Sequence, residues 1–371
     1  MDDYERLAEH LDRLPGGFHR TESGVEMRIL RRLFSPDQAA LALHLTLIPE
    51  EARVVARRAG IGVEEAEARL EKMARSGLIT SLHPKERPAK YMATQAIVGF
   101  YEFQVAWMDE DFARDASEYL EQLPPENWQR APQMRTIPVG ESISARMEVM
   151  AYEQAETLIA SQTQIRVSPC ICRKKARLLG HGCDKPLETC LAFGSGADYY
   201  ARNGVGRDIS KEEALAILQQ ANDAGLVLQP GNTQRAGFLC CCCGDCCGIL
   251  QIAKRHPRPA SILVSPFFAE VDGALCSACG DCEFRCQMEA IGLDNGYAVV
   301  NRDRCIGCGL CVTTCPDEAV TLVRKAEEEQ RPVPATDRDL YIQMLRARGV
   351  ANTPELAKML MRSKVDRLRA R

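Results

Sequence analysis

The chain is 371 residues long, 46% hydrophobic and 26% charged, with a formal net charge of −4. That balance fits an ordinary globular protein of two or three domains and gives no overall electrostatic case for nucleic acid or an anionic membrane. No run approaches the roughly 18 apolar residues of a transmembrane helix, and the acidic start MDDYERLAEHLDRLPGG lacks the apolar core of a secretory leader.

These features predict a cytoplasmic chain in which thiols stay reduced. Eighteen cysteines under such conditions point to metal rather than to disulfides. All of them lie between Cys170 and Cys315, so the first 169 residues contain none.

In chain order, residues 1–24 read as a short amphipathic helix and a glycine-containing loop. VEMRILRRLF continues helical, and Ser35-Pro36 supplies an N-cap and first-turn proline for DQAALALHLTL. Two further helical stretches flank Gly60-Ile61-Gly62, and TSLHPKERPAKYMAT has the composition of a β-wing. Residues 1–95 thus resemble a winged helix-turn-helix domain. Residues 96–165 read as a mainly helical support region, with RTIPVGESI and IRVSP as short strands and Trp107 and Trp128 in the core. DISKEEALAILQQANDAGLV is a helix over 208–224, capped by Ser210 with Glu213 three residues on and ended by Gly225. NTPELAKMLMRSKVDRLRAR is a basic C-terminal helix starting at Thr353 and Pro354.

One repeat is plain. CSACGDCEFRC at 276–286 recurs as CIGCGLCVTTC at 305–315. Both read C-x2-C-x2-C-x3-C, the run of bacterial two-cluster ferredoxins, in which the fourth cysteine ligates the other cluster. That resemblance assigns one [4Fe-4S] cluster to Cys276, Cys279, Cys282 and Cys315. The other falls to Cys305, Cys308, Cys311 and Cys286. Gly280, Gly307 and Gly309 allow close backbone approach. Cys315 precedes Pro316 as the pattern expects, but Cys286 precedes Gln287. A zinc ribbon would use two C-x2-C pairs rather than eight cysteines in duplicate.

Ten more cysteines lie upstream: Cys170, Cys172, Cys183 and Cys190, then Cys240 to Cys243, Cys246 and Cys247. The 208–224 helix separates the two groups and could carry the chain back over a shared site. CICR, CDKPLETC, the helix ending GLV, CCCCGDCC and FFAEVD together resemble a family of long ferredoxin-like proteins from anaerobes. That resemblance implies additional Fe-S clusters on Cys170, Cys172, Cys183, Cys190, Cys240, Cys242, Cys243, Cys246 and Cys247. The family pattern has Asn at the position of Cys241, which sets Cys241 apart, and Cys at the position of Asp245, which leaves Asp245 as an oxygen ligand or a turn residue. One or two further clusters, a non-cubane cluster of the Cys-Cys-Gly type and structural zinc all remain open.

The fold class expected is α+β: a mostly helical N-terminal half with a winged-helix-like domain (1–95) and support region (96–165), a cysteine-rich central domain (166–265), a dicluster ferredoxin domain (266–328) and a helical tail (329–371). Glu64, Glu65, Glu67 and Glu71 on the presumed recognition helix oppose DNA phosphates, although Arg57, Arg58, Lys85, Arg87 and Lys90 offer cations. The expected role is single-electron transfer between a soluble carrier and a partner oxidoreductase. The alternatives are a redox-responsive transcriptional regulator and a disulfide-reductase-type enzyme.

Overall fold

The structure is a computed structural model that describes residues 2–350 and 353–370. Asn352, the first residue of the stretch read as the C-terminal helix, lies outside them, as does Arg371. The chain forms two compact units. One comprises Met1–Leu123, Asp198–Val205 and Tyr341–Arg371, the other Pro124–Ala197 and Gly206–Leu340. Helix and strand are both present, an α+β composition in which helix predominates.

The first unit holds helices Asp3–Asp12, Val25–Leu33, Pro36–Ala42, Ala52–Ala59, Val63–Arg75 and Glu110–Glu121. Ser35 caps the third with a reciprocal box: Gln38 N donates to Ser35 Oγ and Ser35 N to Gln38 Oε1. Gly60, at φ 70°, ends the Ala52–Ala59 helix in the left-handed conformation that glycine tolerates. Strands β1 (Glu50–Glu51), β2 (Ile79–Leu82) and β3 (Lys90–Ala93) form an antiparallel sheet in the order β1-β3-β2. Phe18 packs against Phe100 and Tyr119, and Phe34 against Phe100. Trp107, expected in the core, is exposed, whereas Trp128 is buried.

The second unit contains every cysteine. Strands β4 (Ile165–Pro169), β5 (Glu188–Phe193), β6 (Arg207–Ile209), β7 (Val227–Pro230) and β8 (Phe238–Cys242) form an antiparallel sheet in the order β6-β4-β5-β8-β7. The Lys211–Asp223 helix packs on β4 and β5. Ser210 Oγ accepts from Glu213 N at 3.2 Å, as the capping signature predicts. The helix starts later than expected because residues 207–209 pair with β4 as strand β6. RTIPVGESI, read as a strand, instead makes one isolated bridge at Ile137, with another at Met134 just before it, and a 3-10 turn over Gly140–Ser142. Residues 131–154 are largely irregular, so the support region is less helical than its composition suggested.

Further along, β9 (Phe267–Val271) pairs with β12 (Val320–Arg324), and β10 (Ile291–Asp294) with β11 (Tyr297–Val300), both antiparallel. The cysteine runs at 276–286 and 305–315 lie between these strands. No helix among the described residues is long and apolar enough to cross a membrane.

Candidate metal centres

The two ferredoxin-type runs are duplicated in space as well as in sequence. Ala290 N donates to Cys286 Sγ at 3.3 Å, and Ala319 N to Cys315 Sγ at 3.3 Å. Crossed bonds complete the pattern: Ala298 N reaches Cys276 Sγ and Ala269 N reaches Cys305 Sγ, each at 3.4 Å. Left-handed backbone recurs in the same places, at Ala278 and Gly307, at Gly280 and Gly309, and at Glu289 and Glu318. A Cβ on Gly307 would stand 2.2 Å from the Phe267 carbonyl oxygen, so only glycine fits there.

Cys286, Cys305, Cys308 and Cys311 line one cavity, so the structure brings together the four residues that cross-ligation assigns to one cluster. For the other set, Cys276 and Cys279 lie close enough to act electrostatically on Cys282. A hydrogen bond from Ser277 Oγ to Asp317 ties their loop to the turn that follows Cys315.

Burial raises the thiols of Cys305 and Cys311, and pushes that of Cys308 up to about 12. Thiolates in such surroundings need a cation to share their charge. Soft sulfur donors that already accept backbone N–H bonds suit an iron–sulfur cluster, whose potential those bonds help set.

The ten upstream cysteines are organised by the five-stranded sheet, which the sequence reading did not foresee. Cys190 on β5 stands directly opposite Cys240 on β8, so it is this strand pairing that joins the two cysteine groups. Alternation along β8 puts Cys240 and Cys242 on one face and Cys241 on the other. Two helices begin at thiols: Cys170 is the N-cap of Ile171–Leu178 and Cys247 of Gly248–Arg255.

Six thiols form a connected series. Cys170 interacts with Cys172, Cys172 with Cys247, Cys247 with Cys242, Cys242 with Cys240, and Cys240 with Cys190. Hydrogen bonds from Cys172 and Cys242 bring Cys247 down to about 5. Cys241 feels the charge of Cys240 and Cys170 but adds no thiol hydrogen bond to the series, and burial drives its thiol upward.

A second group is separate. Cys183, Cys243 and Cys246 place their sulfurs within 4.8 Å of one another, with Cys183–Cys243 at 3.8 Å and Cys246–Cys183 at 3.5 Å. The hydrogen bond from Cys246 and the nearby Arg173 charge bring Cys243 down to about 5. Arg173, fully buried, donates through Nη1 to the Cys241 carbonyl at 3.1 Å and towards Cys243 Sγ at 3.7 Å, and through Nη2 to Thr189 Oγ1. The sequence does not single Arg173 out, because its partners on β8 and β5 lie 68 and 16 residues away. Asp245 stands apart from the thiols in an exposed ion pair with Lys185 at 3.1 Å, and exposed His181 contacts the Leu179 carbonyl.

Gln287, the departure from the ferredoxin pattern, joins the two cysteine-rich regions. Its Oε1 accepts from Gly244 N at 2.7 Å, and a Cβ on Gly244 would meet the Gln287 carbonyl oxygen at 2.7 Å. Arg285 likewise donates to the Asn222 and Asp223 carbonyls, capping the C-terminal end of the Lys211–Asp223 helix.

Residues 298–321 match the family of the 4Fe-4S binding domain. The matched stretch contains Cys305, Cys308, Cys311 and Cys315 and indicates at least one [4Fe-4S] cluster. The chain is therefore an iron–sulfur protein with a ferredoxin-like domain, and its general role is electron transfer. No curated protein and no solved structure matches the chain.

Proposed function

We propose that the chain is a multi-cluster electron relay of the cytoplasm, working between a soluble carrier and a partner oxidoreductase. Two [4Fe-4S] clusters would be held by Cys276, Cys279, Cys282 and Cys315, and by Cys305, Cys308, Cys311 and Cys286. A further cluster would sit on the series Cys170, Cys172, Cys190, Cys240, Cys242 and Cys247. When bound, the clusters supply the one-electron chemistry; the protein holds them close, shields them and directs N–H groups at their sulfurs.

The observation that carries this reading is the Gly244–Gln287 hydrogen bond. It fastens the loop between Cys243 and Cys246 to the residue after Cys286, so the central and ferredoxin cysteine loops are tied to each other inside one unit. Iron and sulfide counts on anaerobically prepared protein, with EPR of the reduced form, test it. The expected count exceeds about eight irons per chain, and Cys242→Ser lowers it. A count near eight that central substitutions leave unchanged would remove the central cluster.

The five-segment division belongs to the same proposal, with residues 1–95 as a winged-helix-like module that docks protein or supports the fold. Two cations offered for DNA are engaged within their own unit: Arg58 with Glu50 and Asp366, and Arg57 with the Arg369 carbonyl. Gel shifts with oxidised and reduced protein test the regulatory alternative, which fails if neither form binds. A disulfide-reductase reading draws support from the cross-strand Cys190–Cys240 pair. Steady-state disulfide turnover by the protein alone would favour it over the relay.

A further inference from the structure

Nine of the ten central thiols fall into two arrangements of different dimensions, and the difference bears on what each can hold. A tetrahedral ion with metal–sulfur bonds of about 2.3 Å requires sulfur–sulfur edges of about 3.8 Å. Cys183–Cys243 at 3.8 Å and Cys183–Cys246 at 3.5 Å match that edge, and all three sulfurs fall within 4.8 Å. A cubane interposes iron and sulfide between its ligands, so its thiolates stand farther apart. In keeping with this, no three ferredoxin cysteines among the described residues come within the same mutual reach.

We propose that Cys183, Cys243 and Cys246 form a separate mononuclear site for one zinc ion, with its fourth corner open to an outside ligand. The spacing Cys243-x2-Cys246 is that of a zinc knuckle. Charge closes as well: three thiolates and a divalent ion leave one negative charge, and the buried Arg173 guanidinium, 3.7 Å from Cys243 Sγ, balances it. Among the described residues no fourth Cys, His, Asp or Glu donor belongs to the group, and Asp245 is held by Lys185. Cys243 and Cys246 are buried while Cys183 is partly exposed, so the open corner lies on the Cys183 side. Three protein ligands with one open position is the arrangement that admits water or a thiol to zinc. This inference is independent of the cluster assigned to the other six thiols, because zinc reports on one and inorganic sulfide on the other.

The test is metal and sulfide analysis of the full-length protein prepared anaerobically. About one zinc per chain is expected beside the iron, and Cys183→Ser removes that zinc while iron and sulfide stay at wild-type levels. Loss of iron together with sulfide would make Cys183 a cluster ligand and overturn the proposal; so would no loss of metal. Cobalt(II) replacement in the wild-type protein needs no variant. Intense tetrahedral ligand-field bands with a sulfur-to-cobalt charge-transfer band are expected, and the latter strengthens on adding a small thiol. A weak octahedral spectrum would overturn the tetrahedral site, and an unresponsive band the open corner.

Discussion

Cys241 and Cys242 are adjacent in the chain yet face opposite sides of a sheet, and their chemistry divides accordingly. Cys242 belongs to the series of interacting thiols; Cys241 is buried against the other face. Cys241→Ala should therefore leave iron, sulfide and zinc contents unchanged, at a stability cost of about 1–2 kcal/mol for the small cavity. Chemical denaturation checks the cost and metal analysis the content. Arg173 makes the opposite case. Its charge lies among thiols and its two terminal nitrogens reach three partners, so Arg173→Met leaves buried acceptors and thiolates uncompensated. A loss of about 3 kcal/mol, together with loss of metal from Cys183, Cys243 and Cys246, is expected. Arg173→Lys should restore little, because a point charge cannot replace the planar fork.

Among the elements, the duplicated runs were legible in the sequence because each is built from four cysteines a few positions apart. The central sheet was not. Val227–Pro230 is buried at every position and shows no alternation, while FLCCC conceals a strand under a residue type that suggests ligand loops. The pairing of Cys190 with Cys240 depends on a register that no local pattern records. Gln287 stood out in the sequence only as a missing proline; its partner Gly244 lies 43 residues away. Gln287→Ala should cost about 1 kcal/mol and speed hydrogen exchange at the Gly244 amide, with ferredoxin-domain iron retained. Gly244→Ala should do more harm, since its Cβ meets backbone rather than a movable side chain. A larger drop in the unfolding midpoint than for Gln287→Ala is the expected result.

On the scale of the whole molecule, the first unit is assembled from three separated stretches of chain. Glu50, almost wholly buried, is held by both terminal nitrogens of Arg58 and by Ser363 Oγ at 2.6 Å; Arg58 also binds Asp366 at 2.7 Å. Arg58→Ala would strand that carboxylate and should lower stability by about 3–5 kcal/mol, measured by denaturant unfolding. Burial lowers the pKa of His10 and His44 below the ordinary 6.5. The unfolded chain then takes up protons before the native one, so this contribution is intact above about pH 6.5 and declines as the pH falls below it. His10→Gln should flatten the decline in thermal midpoint between roughly pH 6.5 and 5. Arg348, which donates to the Asp12 and Leu14 carbonyls and to the Asp12 carboxylate, sets an order of manufacture. A ribosome delivers Cys315, the last thiol, before it delivers Arg348 or Ser363. The cysteine-bearing unit thus has all its thiols while the amino-terminal unit still waits for its closing segment, and a nascent chain halted between those points would carry the whole cysteine set with the other unit unfinished.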